Sequence, residues 1–88
     1  MMDIEIKIDT KDGVEKRILK NGVEMKVTEL AMTMIYNTIC YQMPAGHTIF
    51  RNYDKEKKLW TVEVYKDAKD YKNRPIWEGR FWKAEAGI

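Results

Sequence analysis

The sequence predicts a single α+β domain over residues 1–88, with one helix packed on one face of an antiparallel sheet of five or six strands. Three observations support this fold class. The run Leu30–Phe50 contains no Asp, Glu, Lys or Arg, although charge is dense on both sides of it. Residues in Asp3–Asp9 and in Leu59–Lys66 alternate between apolar and polar, as strands with one buried face do. The predicted order of elements is β-β-(β)-α-β-β-β.

The helix is predicted over Thr28–Met43. The Thr28 hydroxyl can accept a hydrogen bond from a first-turn N–H that has no partner within the helix, and Glu29 places a carboxylate at the positive end of the helix dipole. Pro44 disfavours helical angles at the preceding residue, so the helix should end near residues 41–43. At about 100° per residue, the side chains expected to face the core are Ala31, Met32, Ile35, Ile39 and Met43, with Tyr36 at the margin.

The opposite side of this helix carries Leu30, Met34 and Tyr41, which we call the helix stripe. The polar face of a surface helix is normally charged, so this uncharged stripe has two interpretations. It is a second core face packed within the same chain, or it is an exposed surface that contacts a second copy or a partner protein. Met34 suits the second interpretation because methionine adapts to irregular partners, and exposed apolar patches usually mark interaction sites.

Two strands, Val14–Lys20 and Val23–Val27, are expected between the first strand and the helix. The Asn21-Gly22 pair that joins them favours a type I′ hairpin turn, which would place Ile18 opposite Met25. In an alternative interpretation, Asn21 is a helix N-cap with a capping-box partner three residues later, and the helix begins a turn or more earlier. The apolar–charged alternation of the second segment favours the hairpin.

The remaining strands are expected at His47–Asp54 and Ile76–Ala84, on either side of Leu59–Lys66 in the chain. The polar segment Asp67–Pro75 is the predicted loop before the last strand. Gly79, inside that last strand, suggests a bulge or the close approach of an aromatic ring.

The composition limits the cellular setting and the kinds of partner. The one cysteine, Cys40, excludes a disulfide framework, and a small domain without disulfides is typical of a reducing compartment. We therefore expect a cytoplasmic location. The N-terminal residues lack the apolar region of a secretory signal, and Pro44 interrupts the uncharged run short of the ~20 residues that a membrane span needs. A net charge of +2 is small for a dedicated nucleic-acid-binding domain.

The sequence contains no recognisable catalytic constellation. It has no serine, which excludes a Ser-His-Asp triad. Cys40 and His47 are each the only residue of their type, and we interpret Cys40 as a small buried hydrophobic residue. One Cys and one His are too few for a structural zinc site, and the scattered glycines form no phosphate-binding motif. We therefore predict no catalytic residue, no metal ligand and no cofactor, and a protein that is not an enzyme.

Aromatic and basic residues are interleaved after residue 49. Tyr, Trp and Arg are the residue types that dominate the binding energy of protein interfaces, so Tyr71, Arg74, Trp77 and Arg80 are predicted partner contacts together with the helix stripe. In the alternative interpretation, the aromatic residues simply build the sheet and the loop is solvated.

These observations favour a non-enzymatic protein-binding module. Small inhibitors encoded by phages and mobile elements, which occupy a surface of a larger enzyme or complex, are one class with these properties. A homodimer would be another way to cover the helix stripe. The alternative function is binding of single-stranded nucleic acid by the basic, aromatic C-terminal sheet, and an enzyme or small-ligand binder ranks last.

Overall fold

The computed structural model describes residues 3–84, apart from the side chains of residues 8–10, 70 and 71. This part of the chain contains six strands, one α-helix and one short 3₁₀ helix. In chain order the elements are β1 (Ile4–Thr10), β2 (Gly13–Leu19), β3 (Val23–Val27), α1 (Glu29–Gln42), β4 (Thr48–Asp54), β5 (Leu59–Tyr65), the 3₁₀ helix (Ala68–Lys72) and β6 (Trp77–Lys83). The α+β class is confirmed, and the 3₁₀ helix lies within the predicted loop.

The strands form two sheets, so the prediction of one antiparallel sheet is wrong. β1 and β2 make an antiparallel hairpin of their own. The other four strands are ordered β3-β6-β5-β4, with β4–β5 and β5–β6 antiparallel and β3 parallel to β6. The larger sheet is therefore mixed.

The direction of β3 follows from its connection to β4. These two strands run the same way at opposite edges of the four-stranded sheet. Parallel strands in one sheet need a crossover connection, and α1 is that crossover. A short turn between two strands predicts that they pair with each other. This prediction is correct for β1–β2 and for β4–β5, and it is wrong for β2–β3.

The turn between β2 and β3 differs from the predicted hairpin turn. The Val23 N–H donates to the Lys20 carbonyl at 3.0 Å, which closes the turn, and Gly22 has a φ of 88°. Within residues 3–84, Lys58 is the only non-glycine residue with a positive φ, so Asn21 lacks the positive φ that a type I′ turn requires. A positive φ confined to the glycine is typical of a type II turn, which splays the flanking strands apart.

The turn is hydrogen-bonded to β6. The Asn21 Oδ1 accepts a hydrogen bond from the Glu78 N–H at 2.9 Å, and the Gly22 N–H donates to the Glu78 carbonyl at 2.8 Å. These bonds set β3 beside β6, so the predicted pairing of Ile18 with Met25 is wrong. The strand conformation of β3 also excludes the alternative in which the helix begins early.

The helix begins and ends where its capping residues predicted. The Thr28 Oγ1 accepts from the Ala31 N–H at 3.1 Å, and α1 ends at Gln42, before Pro44. Met32, Ile35 and Ile39 are buried, and Ala31, Tyr36 and Met43 pack partly buried against the core. The predicted core face of the helix is thus confirmed.

The core lies between α1, the hairpin and the face of the four-stranded sheet that α1 crosses, which we call the inner face. β6 contributes Trp77 and Phe81 to this core because it lies in the middle of the sheet. Gly79, between them on the same face, is the site of the predicted close aromatic approach. The buried core residues are Ile4, Ile6, Leu19, Val27, Met32, Ile35, Ile39, Val62, Val64, Trp77 and Phe81.

Candidate protein-binding surface

The helix stripe is exposed on the described chain. The exposed fractions are 73% for Leu30, 51% for Met34 and 91% for Tyr41. At the helical angle of about 100° per residue, the three side chains fall within a sector of roughly 40°. No other element of the described chain buries them, so the interpretation of the stripe as a second core face is wrong. The stripe presents large apolar side chains to the surroundings.

A groove of about 400 Å³ lies beside the stripe. Met34 belongs to both surfaces, since it is a member of the stripe and lines the groove. The groove is bounded by α1, by β3 and by the hairpin. Its apolar lining residues are Ile6, Met25, Val27, Ala31, Met34 and Ile35, and its charged lining residues are Lys7, Glu15, Arg17 and Lys26. The groove therefore offers an apolar floor with mainly basic side chains around it.

The groove exists because the hairpin does not join the larger sheet. Had β2 paired with β3, as the sequence predicted, that pairing would have closed this space. One signal in the sequence could have revealed the separation. Glu15, Lys16 and Arg17 place charge on both faces of β2, which does not suit a strand whose one face is covered by a helix. Within β2, the residues from Gly13 to Ile18 are all exposed.

Two contacts hold the base of the hairpin in place. The Gln42 side chain, at the end of α1, bonds both backbone groups of Glu5: its Oε1 accepts from the Glu5 N–H at 3.0 Å, and its Nε2 donates to the Glu5 carbonyl. The Trp77 Nε1 donates to the Leu19 carbonyl at 3.0 Å. These bonds fix the wall of the groove at its base, near the first residues of β1 and the last of β2.

The four C-terminal candidates do not form one surface. Trp77 is fully buried, so a partner docked on this fold cannot reach its ring, and the prediction that it contacts a partner is wrong. Arg74 is exposed. The side chain of Tyr71 lies outside the described part of the chain. Arg80 is exposed and pairs with Glu24, its Nη1 lying 3.8 Å from the Glu24 Oε1.

Arg80 belongs to the outer face of the four-stranded sheet, which is the face opposite α1. Alternation along the strands and their register place four acidic and two basic side chains on this face. They are Glu24, Asp54, Glu63 and Glu78 against Lys26 and Arg80. An acidic excess repels phosphates, so the outer face gives no support to the nucleic-acid alternative.

Two of these acidic residues, Glu63 and Glu78, are directly opposite each other on neighbouring strands. The Tyr65 hydroxyl donates to the Glu63 Oε2 at 2.9 Å. This hydrogen bond, followed by burial and by the charges of Glu63 and Glu78, raises the pKa of Tyr65 above its ordinary value. Tyr65 also contacts Phe50 edge-on, with ring centroids 5.5 Å apart.

We expect the free energy of unfolding to fall as pH rises above 10, and Tyr65→Phe to reduce that fall. The native state holds the Tyr65 proton more tightly than the unfolded chain, whose pKa for this group is 10.0. The contribution of this proton to the free energy of unfolding is therefore fully present below pH 10. It is lost as pH rises through the higher pKa of the folded state. Urea unfolding of parent and variant at about pH 9 and about pH 11 would measure the change. Tyr41→Phe is the matched control, and an identical pH dependence in all three proteins would contradict the assignment.

Cys40 is exposed, so its interpretation as a buried hydrophobic residue is wrong. It lies on the side of α1 that carries Tyr36. Burial raises the pKa of Tyr36, a hydrogen bond with Cys40 raises it further, and the positive charge of Arg51 acts in the opposite direction. The Arg51 guanidinium carbon lies 4.3 Å from the centroid of the Tyr36 ring, a cation–π contact between β4 and the helix.

No family model matches the chain, and comparisons with curated proteins and with solved structures find no similar protein. Among residues 3–84, no helix is long and apolar enough to cross a membrane. The side chains that the structure describes include no group of three or more His, Cys, Asp or Glu residues arranged to hold a metal ion.

Proposed function

We propose that this protein is a non-enzymatic protein-binding module whose contact surface is the helix stripe with the adjoining groove. The observation that carries the proposal is the exposure of Leu30, Met34 and Tyr41 within one sector of an otherwise well-packed helix. Water contact with such side chains is unfavourable, and burying them against a partner contributes about 1.5–3 kcal/mol for each residue that becomes fully buried.

The charges around the groove indicate the chemistry of the partner. Arg17 pairs with Glu15 at 3.4 Å, and the two other basic residues that line the groove are Lys7 and Lys26. The stripe beside it is uncharged. We infer a partner segment that presents apolar side chains to the stripe and the groove floor and acidic side chains to the two lysines. Inhibition of a larger enzyme by occupying its surface stays a prediction.

We expect the double substitution Met34→Lys and Tyr41→Lys to reduce partner affinity by roughly thirtyfold, which corresponds to about 2 kcal/mol. Both side chains are exposed, so the fold should tolerate the change, and circular dichroism would check this. A photo-crosslinking amino acid at position 41 would first capture the partner from host extract. Titration calorimetry of the purified partner against parent and variant would then give the affinities.

The matched control is Asn73→Lys, which adds positive charge at an exposed position of the loop before β6. It should leave the affinity unchanged. A partner that binds parent and double variant equally would place the contact surface elsewhere. Capture of nucleic acid, with affinity that falls steeply with salt, would favour the alternative function.

A further inference from the structure

A separate feature of the fold is the edge of the four-stranded sheet at β4, which no other described strand covers. The Lys83 N–H donates to the Lys58 carbonyl at 2.8 Å, and backbone groups alternate in direction along an antiparallel strand. Even-numbered residues of β5 therefore bond to β6, and odd-numbered residues bond to β4. On β4 their partners are Thr48, Phe50 and Asn52. The N–H and C=O groups of Ile49, Arg51 and Tyr53 consequently point away from the sheet.

This edge has one of the features that prevent pairing with another strand, the charge of Arg51, and lacks the others. Natural edge strands are protected by proline, bulges, charges or short length. β4 is seven residues long, contains no proline, and keeps continuous register with β5. Its one charge between the ends is Arg51, whose guanidinium is held over the Tyr36 ring on the helix side. By contrast, β2 carries three consecutive charges, and β3 is five residues long.

We propose that two copies of the chain pair their β4 strands antiparallel about a twofold axis at Phe50, which joins the two four-stranded sheets into one. This pairing goes beyond the proposed function, because it uses a different surface from the helix stripe. Phe50 is 43% exposed and would meet its own copy across the axis, where aromatic cross-strand pairs are favourable. Ile49 would lie opposite Arg51 of the second copy, and the outward backbone groups of these two residues would bond to each other.

The side chains favour this register over those with the axis moved toward the C-terminal end of β4. A twofold axis at Arg51 would set two like charges directly opposite each other, which is destabilising. An axis at Asn52 would place Phe50 opposite Asp54 of the second copy. An axis at Phe50 avoids both contacts and pairs Thr48 with Asn52, two polar side chains on the outer face. Among these three registers, the axis at Phe50 gives the most favourable match of β4 with itself.

The register predicts a specific disulfide. With Cys40→Ala as the background, Phe50→Cys should give a covalent dimer under mild oxidation, because directly opposite residues in this type of pair lie about 4.5 Å apart between Cα atoms, within the range of a disulfide. Asn52→Cys in the same background is the matched control and should remain monomeric, since each residue 52 faces Thr48 of the other copy. Cross-linking at position 52 but not at 50 would overturn the register.

Light scattering during size exclusion would test the dimer itself. We expect the parent protein to show twice its 10.5 kDa mass at high concentration. Phe50→Lys should weaken dimerisation at least about tenfold by placing like charges across the axis, and Met34→Lys should leave it unchanged. Arg51→Pro removes an N–H that the monomer does not use, and it should also give monomers. A parent protein that is monomeric at all concentrations would overturn the proposal. The proposal would also be wrong if Phe50→Lys left the dimer intact and Phe50→Cys did not cross-link.

Discussion

Replacing Trp77 by alanine is expected to destabilise the fold by about 3–5 kcal/mol. The ring is fully buried in the core, so truncation removes its packing and leaves a cavity. The substitution also removes the Nε1 donor that bonds the Leu19 carbonyl at 3.0 Å, and a buried carbonyl without a partner adds to the cost. A domain of this length has a total stability of about 4–13 kcal/mol at typical values per residue. The variant should therefore be marginally folded or unfolded.

Circular dichroism during urea unfolding would measure this effect. Trp77→Phe is the matched control, because it keeps an aromatic ring in the core and removes the hydrogen bond; it should cost less than Trp77→Ala. Trp82→Ala, at a half-buried position on the outer face, should also cost less. If Trp77→Ala unfolds at the same urea concentration as the parent, the ring does not contribute to the core. The prediction that Trp77 contacts a partner would then stand again.

Gly79→Ala should destabilise the fold by about 1–3 kcal/mol although it adds only a methyl group. The new Cβ would lie 2.8 Å from Cη2 of Trp77 and 2.9 Å from both Cε2 of Phe81 and Cγ1 of Val23. Those atoms belong to packed side chains that cannot move freely. Where the backbone suits alanine, replacing glycine normally stabilises by about 0.4–1 kcal/mol, because it reduces the entropy of the unfolded chain. The expected change therefore has the opposite sign from the usual one.

A double substitution isolates the steric cause. Val23→Ala removes one of the three contacted atoms, so the cost of Gly79→Ala should be smaller in that background than in the parent. The two effects would then be non-additive, as expected for residues in contact. Urea midpoints of the parent, both single variants and the double variant would give the coupling. Strict additivity, or a Gly79→Ala variant as stable as the parent, would show that the space around Gly79 is not closed.

Local structure was largely predictable from the sequence, whereas strand pairing was not. Thr28 and Pro44 act on their own neighbours in the chain, so they predicted the bounds of α1. Alternation identified the strands for the same reason. The partner of β3 depends instead on the conformation of Asn21, whose side chain is held by Glu78. A contact between residues so distant in sequence leaves no local signal, and the favoured hairpin dipeptide therefore led to the wrong pairing.

In the candidate site, too, features set by local sequence were predictable and features set by strand pairing were not. Helical periodicity alone placed Leu30, Met34 and Tyr41 opposite the core face. The groove was not predictable, because its walls come from elements whose relative position depends on the missed pairing. Trp77 was assigned to a contact surface because alternation separates the two faces of β6 without showing which face is covered. The covered face of β6 is the one that α1 crosses.

The central position of β6 determines the order in which the fold can assemble. β6 is the last of the six described strands, yet it lies between β3 and β5. The hydrogen bonds from Trp77 to Leu19 and from Glu78 to Asn21 join residues 58 and 57 positions apart. During synthesis, β3 therefore has no native partner in the sheet until β6 has left the ribosome. Contacts between such distant residues slow folding, and unpaired strand edges expose an incomplete chain to aggregation in the interval. This topology makes folding a late step that follows translation of nearly the whole described chain.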